Sequence, residues 1–102
     1  MTSTVIFTPE ADEQLVALYR VIAAAASPSI AADYTGAIVT YCEGLMTFPL
    51  RGIRRDDIRP GLRIISFRRR TVVAYAVMAD TISIIGVFHG GQDYEMALQP
   101  EE

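Results

Sequence analysis

The sequence has one cysteine, Cys42, and one histidine, His89, in 102 residues. An internal disulfide is impossible, which suits a reducing compartment. A structural zinc site lacks its usual ligands, and no metal or other cofactor is expected. No apolar run reaches the length of a membrane span, and the first residues lack the basic-then-apolar order of a secretory signal. A cytoplasmic protein with no membrane partner is therefore expected. Motifs that carry chemistry are missing too: there is no Gly-rich phosphate loop, no HExxH pair and no nucleophile elbow. Internal repeats and low-complexity segments are absent, and all nine basic residues are arginine, with no lysine.

What is present is a chain with 51% apolar residues and moderate charge, the composition of one folded domain over residues 1–102. Its net charge of −3 hides a segregation. Eight of the nine basic residues lie in residues 51–70: Arg51, Arg54, Arg55, Arg59, Arg63, Arg68, Arg69 and Arg70. Only Asp56 and Asp57 oppose them there, for a local charge of about +6, while the rest carries Arg20 against ten acids. Such a belt is either a localised binding surface for an acidic protein or nucleic acid, or charge gathered on solvent-facing turns.

Three apolar runs rich in Val, Ile, Phe and Tyr, Leu62–Phe67, Val72–Met78 and Ile82–Phe88, are too short for typical helices and read as strands. The breaks between them admit only antiparallel neighbours, so they form a meander. The middle run has almost no polar residue and fits a central strand covered on both faces. Upstream, Ser3–Thr8 reads as a short strand that joins this sheet. Thr8 with Pro9 opens a helix, acidic in its first turn, that ends near Ala26. A second helix is expected from a cap at Ser29, with Ile30, Tyr34, Ala37, Tyr41, Leu45 and Phe48 as its apolar stripe. Gly36 within it suggests close helix–helix approach, and Cys42 reads as a packing residue. The short link makes the pair an antiparallel hairpin on the sheet. Pro49 to Pro60 reads as the longest irregular segment, and the tail from Met96 onward as frayed.

His89 is the only candidate general base, and Asp93 is placed to orient it. No matching Ser or Cys nucleophile is visible, so a strand-end histidine satisfied by a hydrogen bond is the simpler reading. Arg68-Arg69-Arg70 at a hairpin turn reads either as a binding finger, since guanidinium groups suit bidentate capture of carboxylate or phosphate, or as a solvated turn.

The order of strand, helix hairpin and meander resembles the RelE/ParE superfamily of toxins from bacterial type II toxin–antitoxin pairs. Arg59-Pro60-Gly61-Leu62-Arg63 is similar to that family's R-P-G-x-R entry into the sheet, and Val72 to Val77 to its x-V-x-Y-x-V central strand. Ile84 to Asp93 (IIGVFHGGQD) resembles the closing strand and V-x-H-x-x-x-D signature of the ParE branch, and Phe48-Pro49 with Gly52 fits a P-x-x-G that precedes them. The resemblance implies an α+β fold with a two-helix hairpin on an antiparallel sheet. It also implies a toxin that is not an enzyme, inhibits DNA gyrase, is neutralised by a ParD-like antitoxin in a hetero-oligomeric complex, and does not bind nucleic acid sequence-specifically. Arg59, Arg63, Arg68, Arg69, Arg70 and His89 are the expected partner-binding residues. The alternatives are a RelE-like ribosome-dependent mRNA interferase and a non-toxic relative that only binds antitoxin. RelE-type members carry a basic residue after the last strand, whereas here no basic residue follows Arg70.

Overall fold

Pro9 fixes the backbone for the first helical position, and Thr8 caps it: the Ala11 N–H donates to Thr8 Oγ1 at 3.2 Å. In the computed structural model, which describes residues 4–99, this junction joins strand β1 (Thr4–Phe7) to helix α1 (Pro9–Ala25). Helix α2 spans Pro28–Glu43, and a 3-10 turn follows at Gly44–Met46. Strands β2 (Ile53–Arg54), β3 (Leu62–Phe67), β4 (Thr71–Met78) and β5 (Thr81–His89) come next, then helix α3 (Tyr94–Leu98).

The five strands form one sheet in the order β1-β5-β4-β3-β2. The meander is as expected, with Phe67 opposite Thr71 and Thr71 opposite His89. The sheet is not wholly antiparallel, however. β1 lies parallel to β5, from Thr4 opposite Thr81 to Phe7 opposite Ile84, because the chain crosses back over the sheet through both helices and the meander. The fold is α+β, with a helix hairpin on a mixed sheet.

β4 is covered on both faces. Towards the hairpin, Val73 and Tyr75 pack with Ile82, Ile84, Ile38 and Leu45, all with no solvent exposure. On the other face Ala74 packs with Leu62, Ile64, Phe88, Ile58 and Leu98.

Local details of the helices depart from the sequence reading. Ser27, not Ser29, caps α2: the Ile30 N–H donates to Ser27 Oγ at 3.1 Å, and Pro28 takes the first helical position. The apolar stripe is turned accordingly, onto Ala31, Ile38, Cys42 and Leu45, with Tyr34, Ala37 and Tyr41 half-buried. Ile30 and Phe48 are 54% and 65% exposed. Phe48 falls out of phase because the tighter turn at Gly44–Met46 changes the angular step per residue. Gly36 marks no close approach, since a Cβ there meets nothing within 4 Å. The tail is not frayed as far as the structure describes it. Asp93 Oδ1 accepts the Met96 N–H at 3.1 Å, and Leu98 is buried on the sheet. The rest of the expected tail, Pro100 to Glu102, lies outside the described residues.

The loop before β3 is fixed by two side chains. The Gly52 N–H donates to the Tyr75 hydroxyl at 2.8 Å inside the core. Arg63 Nη1 donates to the Gly52 and Leu50 carbonyls at 2.8 and 3.1 Å. Tyr75→Phe leaves the buried Gly52 N–H without an acceptor, so it is expected to lower stability by about 1–3 kcal/mol, read from the urea midpoint at unchanged slope.

Candidate partner-binding surface

The β3–β4 turn is built from Arg68, Arg69 and Arg70, all exposed. Arg68 and Arg69 both have positive φ, 51° and 65°. That left-handed geometry suits a tight hairpin, and glycine or asparagine normally supplies it. Two arginines there cost about 1–2 kcal/mol each. The Arg68 guanidinium lies 4.9 Å from the Phe67 ring centroid and 5.7 Å from that of Tyr34, a cation–π arrangement. Among the described residues, no carboxylate pairs with Arg68, Arg69 or Arg70.

His89 belongs to the same end of the sheet. It sits opposite Thr71 in the ladder, and the Gly90 N–H donates to the Arg70 carbonyl at 2.8 Å. Its Nδ1 hydrogen-bonds Thr71 Oγ1 at 3.0 Å, and Thr71 Oγ1 shares a second bond with the Tyr34 hydroxyl at 2.9 Å. The Tyr34 ring packs edge-on against the imidazole, centroids 5.7 Å apart. Thr71 is fully buried, so the hydroxyl bonded to His89 cannot reach a substrate. Asp93 does not orient His89, because its carboxylate caps α3. The histidine is thus held by a Tyr–Thr–His chain beside the arginine turn, without a nucleophile.

The other arginines divide differently. Arg63 clamps the loop at Gly52, as described above. Arg59 Nε donates to the Leu98 carbonyl at 3.1 Å, tying α3 down. Arg55 makes ion pairs with Asp57 at 2.9 Å and Glu95 at 2.7 Å and donates to the Tyr94 hydroxyl at 3.2 Å. These bonds hold the Arg55 guanidinium protonated well beyond its usual range, the Asp57 bond most strongly, and the same bond draws the Asp57 carboxyl below the usual carboxylate range. Arg54 pairs with Asp56 at 2.8 Å. The structure therefore gathers Arg68, Arg69, Arg70 and His89 at one end of the sheet, while Arg59 and Arg63 brace backbone carbonyls elsewhere.

An apolar feature escaped the sequence reading. Phe48, Leu50 and Ile53 are 65%, 63% and 73% exposed, on the approach to β2 and at the sheet's edge, next to Arg51 and Arg54. The signal is Leu50 and Ile53 in a segment with no helical or strand period to bury them, whereas Phe48 is the residue that the helical spacing assigns to the stripe of α2. Cys42 is a packing residue, fully buried, with its thiol pushed up to about 12 by burial first and by Glu43 second. A thiol reagent is expected to leave Cys42 unmodified in the native protein at neutral pH and to label it on unfolding.

Arg69→Gly separates the turn's geometry from its charge. Stability is expected to hold or rise by up to about 1 kcal/mol as left-handed strain is relieved. Binding of an acidic partner is expected to weaken. Thermal unfolding and a titration on the same variant check both.

The profile of the family described as ParE toxin of type II toxin–antitoxin system, parDE, matches residues 5–94. Among solved structures, the chromosomal ParDE toxin–antitoxin system from P. aeruginosa superimposes with a TM-score of 0.76 at 21% identity, over 87% of this chain and 97% of that one. A RelBE toxin–antitoxin complex from Mycobacterium tuberculosis superimposes with a TM-score of 0.60 at 27% identity, over 87% of this chain and 99% of that one. No curated protein sequence matches.

Proposed function

Because the chain belongs to the ParE toxin family of type II toxin–antitoxin systems, we propose that it acts by binding rather than by catalysis, blocking DNA gyrase when it is free of a ParD-like antitoxin. The observation that carries this reading is the strained turn of Arg68, Arg69 and Arg70 beside His89. It presents cations with no acidic partner among the described residues and no exposed nucleophile next to the one histidine. Such a turn suits capture of carboxylates on an acidic protein surface, whether of the target or of an antitoxin segment. An antitoxin that covers the turn then silences the toxin by occupying the same groups.

One observation favours a second reading. Three arginines and a histidine at one end of the sheet are also the groups that metal-free cleavage of a phosphodiester uses, because cations offset charge developing on the phosphate. On that reading the protein is a RelE-like mRNA interferase.

A gyrase supercoiling assay run beside a translation-coupled mRNA cleavage assay separates the two. Inhibition of supercoiling, reversed by the antitoxin, is expected. Changing Arg68, Arg69 and Arg70 together to Ala is expected to weaken gyrase and antitoxin binding and to flatten its dependence on salt, with folding unchanged by circular dichroism. His89→Gln is expected to retain most of the inhibition, since His89 is positioned without a nucleophile. mRNA cleavage that His89→Gln abolishes transfers the function to the nuclease reading. Antitoxin binding with neither activity identifies a non-toxic binding relative.

A further inference from the structure

Phe48, Leu50 and Ile53 stand exposed at the β2 end of the sheet, the far edge from β1. Their backbone is nevertheless braced. The Thr47 N–H donates to the Gly44 carbonyl at 3.2 Å, and the Arg51 N–H to the Phe48 carbonyl at 3.3 Å, which closes a turn over Phe48–Arg51. Arg63 holds the Leu50 and Gly52 carbonyls, and the Tyr75 hydroxyl holds the Gly52 N–H from the core. Glycine is what lets the loop approach so closely, since a Cβ at Gly52 would lie 2.7 Å from that hydroxyl. The loop is thus fixed against the core while its apolar side chains face water. An apolar projection that is already ordered loses little freedom when another molecule covers it.

The surroundings of the loop are cationic. Arg51 is exposed, and among the described residues no carboxylate pairs with it. Its guanidinium lies 5.2 Å from the Tyr41 ring centroid, and the Tyr41 ring packs on Phe67 with centroids 5.1 Å apart. The Tyr41 hydroxyl donates to the Ser66 carbonyl at 3.1 Å, which fixes that ring. Phe67 in turn carries Arg68. Two arginines therefore lie on one aromatic cluster, and through it the apolar loop is continuous with the arginine turn. Phe48, Pro49 and Leu50, with Thr47 and Arg51, line a shallow recess of about 460 Å³.

We infer that the loop from Thr47 to Arg51 is the apolar anchor by which the toxin grips its protein target, and that its occupant is an acidic segment carrying a large apolar side chain. The inference deepens the gyrase reading above and rests on it. Charge complementarity selects the occupant. The apolar side chain enters the recess, and carboxylates beside it meet Arg51 and, along the aromatic cluster, the arginine turn. Leu50 and Ile53 have no counterpart on a phosphate backbone, which makes the occupant a protein. An aromatic and aliphatic centre rimmed by arginine is also the composition of a protein interface core. The two parts of the surface divide the work: the arginines draw the acidic partner in, and the buried anchor sets how long it stays.

The test is the kinetics of binding to immobilised DNA gyrase holoenzyme, read beside the supercoiling assay. Phe48→Ser combined with Leu50→Ser is expected to weaken binding at least about tenfold through faster dissociation, with the salt dependence of association unchanged. Inhibition of supercoiling is expected to fall in parallel. Phe48→Leu with Leu50→Met keeps an apolar surface of similar size and is expected to bind within about twofold of the wild type. Circular dichroism and thermal unfolding are expected to be unaltered, because the side chains removed are exposed. Leu50→Ser alone is expected to show a smaller loss of the same kind, and carries the test if the double variant fails to fold. Wild-type affinity and inhibition in the folded serine variant overturn the anchor and leave the gyrase reading standing, as does a loss confined to association. Wild-type protein that does not bind gyrase overturns both. Lost antitoxin binding with gyrase binding intact assigns the loop to the antitoxin and overturns the proposal. Self-association that the serine variant abolishes, with gyrase binding intact, assigns it to a second copy and overturns the proposal too.

Discussion

A central strand without a solvent face governs this fold. Val73, Ala74 and Tyr75 of β4 are all fully buried, and successive residues of a strand point to opposite faces, so the sheet needs two covers. The α1–α2 hairpin supplies one from long amphipathic helices. The other is made of little: the turn around Ile58 and the five residues of α3. Burial of Ile58 and Leu98 contributes about 1.5–3 kcal/mol per side chain, which is small against the entropy of ordering so short a helix. Polar ties close the gap. Arg55 reaches Tyr94 and Glu95, and Arg59 holds the Leu98 carbonyl. Part of the basic belt is thus architecture.

What remains of the belt stands on strained backbone. Arg68 recovers some of its left-handed cost by lying over Phe67 and Tyr34, an interaction of about 0.5–1 kcal/mol at exposed sites. Arg69 makes no comparable contact among the described residues. The strain at Arg69 is therefore left without a compensating contact among the described residues. The stiff ladder on either side of the turn, and the Tyr34–Thr71–His89 chain beneath it, keep these cations in one place instead of spread over a mobile loop.

Much of this was legible in the sequence, because the strongest signals were local. Short β-branched runs with polar breaks marked β3, β4 and β5 to within a residue, and Thr8-Pro9 marked the start of α1. The failures came where geometry at a distance decides. The cap of α2 is an exception, because Ser27-Pro28 repeats the Thr8-Pro9 pattern and the cue for Ser27 over Ser29 was local. β1 has no local cue for a parallel partner in β5. A five-residue helix carries too few positions for a period, leaving Asp93 and Leu98 as the trace of α3. The arginines were visible as charge. Their division was not, since nothing in the spacing of Arg59 and Arg63 foretells that carbonyls at Leu98 and Gly52 lie within reach.

The parallel pairing of β1 with β5 also sets a clock on synthesis. Thr8 and Ile85, which bond where β1 ends, are 77 residues apart. Made at about 5–20 residues per second, β1 waits roughly 4–15 s on the ribosome for the strand that receives it. The α1–α2 hairpin is complete early in that interval, but the arginine turn comes late and the sheet closes last. Between these points the nascent chain is a hairpin whose sheet has not yet been made. Until Ile85 is made, the first strand ahead of that hairpin stands unpaired, so the edge of the sheet is laid down first and joined last.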